Sequence, residues 1–175
     1  MRILFLLTGV FSTQLLMAQN EILLNADKGK DTINKNIYGH FAEHLGSCVH
    51  GGLYVGEDNK KIVHQNGIRL DVVNALKKLK ATVLRWPGGC FADNYHWKEG
   101  IGPKEKRRHI ENVAWGNVRE DNSFGTHEFL QLCEMIGAEP YLAVNMGSGT
   151  VQEAAEWVQY VNHANSASDL TDWRQ

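Results

Sequence analysis

The sequence predicts an α/β fold built on a parallel sheet, and three observations carry that prediction. Short apolar runs alternate with amphipathic helical stretches, strand then helix, three times over, the pattern of parallel strands joined by helical crossovers. One run, Thr82-Val83-Leu84, rises into Arg85-Trp86-Pro87-Gly88-Gly89. β-Branched and apolar residues ending at Pro-Gly describe a buried strand entering a forced turn, because proline has no N–H for a strand ladder. The long connections follow strands rather than helices, an asymmetry that favours a (β/α) barrel over a sandwich. A complete barrel takes eight units and about 250 residues. Three are present here, so the residues alone leave two architectures open, a small open α/β domain and a truncated barrel.

In chain order, Arg2 gives Met1–Gln19 a positive start, Ile3-Leu4-Phe5-Leu6-Leu7 an apolar centre and Ala18 a small residue before Gln19. This is the layout of a secretory signal peptide cleaved after Ala18. Ser12, Thr13 and Gln14 break the apolar stretch well short of the ~20 residues a spanning helix needs. Glu21–Ala26 is a short apolar run predicted as a strand, and 27–36 is a polar turn region. Ile37–His44 alternates loosely and is predicted as a strand, followed by a Gly-rich loop to Gln65. Gly67–Lys80 is predicted as a helix with Ile68, Val72, Leu76 and Leu79 on one stripe. The strand Thr82–Trp86 comes next.

Residues 93–125 show no sustained periodicity and hold Trp97, Pro103 and Trp115. A connection of that length in a compact domain is functional or disordered, and its tryptophans argue against disorder. Thr126–Ile136 is predicted as a helix, with Thr126 as its cap, Phe129, Leu132, Cys133 and Ile136 on its apolar face, and Gly137 as its stop. Pro140 leads into a strand over Tyr141–Asn145, and 146–149 is a turn. Thr150 and Glu153 form a capping box that opens a helix running through Trp157 and Val161 to about Asn162. The tail 165–175 is polar.

Composition narrows the function. Eighteen basic and twenty acidic residues give a formal net charge of −2, which calls for neither nucleic acid nor an anionic membrane. The basic run Lys104–Arg108 is interrupted by Glu105 and reads as a solvated loop. Cys48, Cys90 and Cys133 include no C-x-x-C pair and imply no disulfide framework. His40-Phe41-Ala42-Glu43-His44 matches a zinc-peptidase pattern that works only on a helix. On the predicted strand the two histidines lie ~13 Å apart, at ~3.3 Å per residue, too far for one metal bonded at ~2 Å. Gly147-Ser148-Gly149 lacks the rest of a phosphate loop, and no G-x-S-x-G elbow is present. What remains is a set of groups at strand ends, Glu43, Arg85, Cys90, Asp93 and Asn145, with Trp97 and Trp115 in the long loop. Carboxylates, amides and tryptophans suit a sugar, whose hydroxyls need donors and acceptors and whose C–H faces pack on aromatic rings.

Four stretches, IYGHFAEHLG (37–46), RWPGGCFADNYHWKEGIGP (85–103), EDNSFGTHEFL (120–130) and NMGSGTVQEAAEWVQY (145–160), resemble glycoside hydrolase family 51, the α-L-arabinofuranosidases. The resemblance runs from about Glu21 to about Tyr160. It implies a (β/α)8 barrel accompanied by a β-sandwich, to which the strand at Glu21–Ala26 would belong, and retaining hydrolysis of terminal arabinofuranosyl groups. The implied organisation is a signal peptide over 1–18, a strand and turn over 19–36, and the first three β-α units of the barrel over 37–175. Residue by residue, it implies that Glu43 binds the arabinose, that Arg85 stands beside the nucleophile, that Cys90 lines the sugar site and that Trp115 lies near the leaving group. Asn145 falls at the end of the third barrel strand and is assigned to substrate binding. The implied partner is an arabinose-containing glycan, with no nucleic acid, no membrane after leader cleavage, no cofactor and no metal; homo-oligomers of the full-length protein are compatible with it. The family's acid/base is the Glu of an Asn-Glu pair ending the fourth strand and its nucleophile ends the seventh, so the expectation is a secreted or periplasmic fragment without either catalytic carboxyl group. The alternative is a non-catalytic carbohydrate-binding module.

Overall fold

The computed structural model describes residues 20–162; the predicted signal peptide and the tail from 165 lie outside them. The chain divides into two compact units, one ending at Ile33 and one beginning at Asn34. In the first, Ile22, Leu23 and Leu24 are exposed, and the regular element is a 3-10 turn at Ala26–Lys28. The strand expected over Glu21–Ala26, and with it the sandwich strand, is therefore not formed. A strand holds only when a neighbour pairs its amides and carbonyls, and among the described residues no strand pairs with this run.

The second unit has strands β1 (His40–Phe41), β2 (His64–Gln65), β3 (Ile68–Arg69), β4 (Val83–Trp86), β5 (Ile110–Asn112), β6 (Val118–Glu120) and β7 (Glu139–Leu142), with helices α1 (Leu70–Leu79), α2 (Thr126–Ile136) and α3 (Val151–Asn162). Strands β1, β4 and β7 form a parallel sheet in that order, with Phe41, Arg85 and Tyr141 level across it. Helix α1 lies in the crossover from β1 to β4 and α2 in that from β4 to β7, as the alternating pattern predicts. The ladder continues past the strand ends, through Ala42 N–H to Arg85 O, His44 N–H to Pro87 O and Ala143 N–H to Trp86 O.

Side chains of a strand alternate between faces, and β4 shows what each face meets. Leu84 and Trp86 are fully buried. The Trp86 ring stacks on Phe129 of α2 at 5.2 Å and meets Trp157 of α3 edge-on at 6.1 Å. Both helices therefore dock on this face, and burying rings of this size contributes on the order of 3 kcal/mol each. Arg85 points to the other face, where its lateral neighbours Phe41 and Tyr141 are 65 % and 55 % exposed.

Several boundaries differ from the expected ones for local reasons. Helix α1 begins at Leu70 rather than Gly67, because Asn66 and Gly67 take positive φ (51° and 81°) as the two-residue turn of the β2–β3 hairpin. Helix α2 spans the expected residues and stops at Gly137, φ 76°, but its N-cap is Gly125 rather than Thr126. Glu128 accepts the Gly125 N–H at 2.8 Å, while the Thr126 hydroxyl accepts the Trp157 indole N–H at 3.1 Å and ties α2 to α3. Strand β7 starts two residues early and contains Pro140, which is tolerated because the amides of Glu139 and Ala143 are the ones turned to the β4 side, at Thr82 O and Trp86 O, so alternation turns the nitrogen of Pro140 away from it. The stretch 93–125 is ordered by 3-10 turns at Trp97–Gly100 and Lys104–Lys106 and by the β5–β6 hairpin.

Candidate active site

Glu43 lies between the ladder bonds of Ala42 and His44, just past the C-terminal end of β1. Alternation puts its side chain on the same face as Phe41 and Arg85, away from the helices. Its carboxylate is buried, and Oε1 accepts the Trp115 indole N–H at 3.0 Å and the Phe91 backbone N–H at 3.3 Å. Among the described residues no donor bonds Oε2. The turn after β4 is shaped around this side chain: a Cβ on Gly88 would stand 2.3 Å from Glu43 Cγ, and Gly88 has φ +147°. The Trp86–Pro87 peptide is cis. The close approach that Gly88 permits is thus to Glu43.

Behind Glu43 the next residue, His44, points into the core. It stacks on Phe91 at 4.4 Å, and its Nε2 lies 3.1 Å from the Trp86 indole nitrogen. An indole N–H only donates, so Nε2 is the acceptor and the neutral ring carries its proton on Nδ1, aimed at Glu120 Oε2 3.4 Å away. Burial holds His44 below its usual range. Burial alone would raise the Glu120 pKa, but hydrogen bonds from His44 and Asn112, with the His50 ring nitrogen 3.2 Å away, pull it well below the carboxylate range. Sequence reasoning singled out neither Glu120 nor Asn112; their bonds to His44 span 76 and 68 residues, and no spacing rule reaches that far.

The other expected site residues fare differently. Arg85 is half-buried on the Glu43 face of β4, and Cys90 is exposed as the first residue of the 3-10 turn Cys90–Asn94, next to Phe91. Trp115 sits in the turn of the β5–β6 hairpin with its indole on Glu43. Asn145 is buried and its amide is committed to its own turn: Oδ1 accepts the N–H groups of Gly147, Ser148 and Gly149, and Nδ2 donates to Tyr95 O and Ser148 Oγ. That is a turn-forming role and leaves no donor or acceptor for a ligand. Asp93 contributes its backbone carbonyl to Ser148, its side chain being exposed. Trp97 is core, stacked on Trp157 and donating to Glu153 O.

Two constellations look like chemistry and resolve otherwise. His44, His50 and Glu120 bring their ligand atoms within 4.8 Å of one another. A metal-bound histidine normally donates its second ring N–H to an acceptor, whereas the second nitrogen of His44 faces a donor, Trp86. His44 Nδ1 therefore carries a proton, aimed at Glu120, and has no free lone pair for a metal. His40, of the zinc-peptidase pattern, is exposed on β1 and takes no part in it. Ser148, His96 and Glu153 line up as a hydroxyl, imidazole and carboxylate, at 3.4 Å and 3.0 Å. Yet the Ser148 hydroxyl donates to Asp93 O at 2.9 Å, and the neighbouring amides that could hold an oxyanion are bound to Asn145. The three clasp the turn before α3 to the chain after β4.

The sequence matches the family described as "Alpha-L-arabinofuranosidase 1 domain" over residues 75–175. It is 64 % identical over 140 residues to the intracellular exo-α-L-arabinofuranosidase of Bacteroides ovatus, covering 80 % of this chain and 27 % of that one. It is 48 % identical over 141 residues to α-L-arabinofuranosidase C of Emericella nidulans, covering 81 % and 27 %. Among solved structures it is similar to the GH51 arabinofuranosidase of Xanthomonas axonopodis pv. citri (TM-score 0.80, 43 % identity, 85 % of this chain and 30 % of that one). It is also similar to the arabinose complex of the Thermotoga maritima α-L-arabinofuranosidase (TM-score 0.74, 46 % identity, 80 % and 28 %). The chain thus spans just over a quarter of the curated relatives' length.

Proposed function

The chain belongs to glycoside hydrolase family 51, the α-L-arabinofuranosidases, and on that premise we propose that it carries the arabinose-binding part of a retaining α-L-arabinofuranosidase acting on terminal non-reducing α-L-arabinofuranosyl groups of arabinose-containing glycans. We read β1, β4 and β7 as consecutive strands of a (β/α)8 barrel. They are parallel and in sequence order, and Glu43 stands at a strand's C-terminal end, where barrels place their sites.

One observation carries the reading. Glu43 is held from one side by Trp115 and Phe91 on Oε1, and its Oε2 has no protein donor among the described residues. A carboxylate fixed in that way accepts hydroxyl hydrogens from a polyol at a defined position, and the half-exposed Trp115 ring offers an apolar face to sugar C–H groups. Arg85, on the same face, supplies positive charge that favours ionised carboxylates nearby. Retaining hydrolysis takes two carboxyl groups ~5–5.5 Å apart. Glu43 is assigned to binding, and no residue of this chain is assigned as acid/base or nucleophile.

In the full-length protein, Glu43→Gln keeps an oxygen for Trp115 and Phe91 and removes the charge. With ~1.5–3 kcal/mol per charge-assisted bond, kcat/KM on an aryl α-L-arabinofuranoside is expected to fall roughly 10- to 150-fold at unchanged Tm. Lost stability with intact kinetics would make Glu43 a structural residue. Export with cleavage after Ala18 is part of the proposal and rests on the layout of the leader; N-terminal sequencing of the mature protein should begin near Gln19, and intact Met1 on soluble cytoplasmic protein counts against it. The word "intracellular" in the Bacteroides ovatus name describes that relative.

A further inference from the structure

We propose that Asn112 is a positioning residue for the sugar site, acting through Trp115 on Glu43; this rests on Glu43 being the arabinose-binding carboxylate. Asn112 is buried at the end of β5, and both polar atoms of its side chain are used. Its Oδ1 accepts the Trp115 backbone N–H at 3.1 Å and its main-chain carbonyl accepts the same N–H at 3.2 Å. Its Nδ2 donates to His44 O at 2.6 Å and to Glu120 Oε1 at 3.0 Å. One side chain thus joins the turn that carries Trp115 to the backbone immediately after Glu43.

The loop closes on itself. From Glu43 Oε1 the path runs through the Trp115 indole, the Trp115 backbone, Asn112 and the His44 carbonyl back to Glu43. Glu120 braces it, since its Oε1 takes the Asn112 amide and its Oε2 the His44 Nδ1–H. Every group has one compatible role: the Trp86 indole fixes the His44 tautomer, the tautomer makes Nδ1 a donor, and the ionised Glu120 accepts. An amide is required at 112 because the position must accept from Trp115 and donate twice; an aspartate could not donate, and a leucine could do neither. Without Asn112 the hairpin keeps the longer, 3.4 Å bond from His44 to Glu120 beside Glu43 but loses the tie nearest Trp115, which gives the indole room to swing away from Oε1, and a displacement of about 1 Å is worth up to about 100-fold in rate.

The test is a double-mutant cycle in the full-length protein, on an aryl α-L-arabinofuranoside, with Asn112→Ala, Trp115→Phe and both together. If Asn112 acts through Trp115, each single change lowers kcat/KM about tenfold or more and the double variant is no worse than Trp115→Phe within about twofold. Losses that multiply overturn the proposal. Should Asn112→Ala fail to fold, Asn112→Ser serves the same cycle, its hydroxyl still accepting the Trp115 N–H while the span to His44 O is lost. A second readout needs no activity: hydrogen exchange of the Trp115 indole N–H, followed by 15N NMR, is expected to be at least about tenfold faster in Asn112→Ser, in line with the loss of an ordering contact. Unchanged indole protection overturns the positioning role. If the unaltered protein hydrolyses no arabinofuranoside while the indole is still released in Asn112→Ser, the functional reading fails and the positioning of Glu43 stands.

Discussion

Gly88 and Gly89 are neighbours in the sequence with different work to do. Gly88 has φ +147°, and a Cβ there would fall 2.3 Å from Glu43 Cγ and 2.8 Å from Cδ; a Cβ on Gly89 would lie 3.8 Å from both carboxylate oxygens. Gly88→Ala therefore has to move Glu43 as well as strain its own backbone, and a cost of roughly 1–3 kcal/mol in stability is expected, with loss of sugar binding. Gly89→Ala makes ordinary van der Waals contact and should retain both stability and most of the affinity. Urea unfolding and arabinose binding of the two variants check this, and equal effects would mean that Gly88 does not shape the Glu43 pocket. Asn145 is likewise explained by local geometry: its side-chain oxygen collects three amides of its own turn, which fixes the conformation at 145–149.

Helix α2 shows what an element requires at its start. Glu128, its third residue, accepts the Gly125 N–H and pairs with Arg107 through both carboxylate oxygens, at 3.0 and 3.1 Å. Arg107 is itself buried and also donates to Gly102 O and Asn122 O. Glu128→Ala strands that guanidinium without its counter-charge, and breaking a buried pair in this way costs about 3–5 kcal/mol; Glu128→Gln, which keeps the geometry, should lose clearly less. Equal losses in urea unfolding would locate the whole effect in the charge of the pair, since the cap acceptor that Gln keeps would then contribute nothing. Helices were the legible part of the sequence, because Phe129, Leu132, Cys133 and Ile136 repeat at helical spacing and Gly137 marks the stop. The β5–β6 hairpin was not legible: three residues a side carry no period, and Gly116 and Asn117, both at positive φ, sit in a stretch with no flanking strand signal. Of the candidate site, Glu43 is singled out by its strand-end position and Trp115 by resemblance, and the structure joins the two through the indole N–H. Asn112, Glu120 and the buried role of His44 could not be found in either way, since each looks ordinary alone and acquires meaning from partners two elements away.

At the scale of the second unit, the buried ionisable groups set how stability depends on pH. Burial holds His44 below 6.5, so on acidification the unfolded chain takes up its proton first and stability begins to fall as pH drops below about 6.5. For Glu128 and Asp121 burial would raise the pKa, but Arg107 on the one and the Ser123 hydrogen bonds on the other hold them below their ordinary 4.5 and 3.8. Their contribution is complete above those values and is lost as pH falls through the lower folded ones, as is that of Glu120. On the alkaline side burial pushes the Cys133 thiol up to about 12 from 9.0 and the Tyr95 phenol above 10.0. The unfolded chain then releases protons first, and stability declines as pH rises past about 9. The expected urea midpoint is therefore flat between about pH 6.5 and 9, falls on both sides, and steepens below about 4.5. A midpoint that instead rises from pH 7 to pH 5 would mean that His44 is charged in the folded protein. In that case its Nε2 would carry a proton against the Trp86 indole, and the hydrogen-bond order that joins Trp86, His44, Glu120 and Asn112 behind Glu43 would have to be reversed.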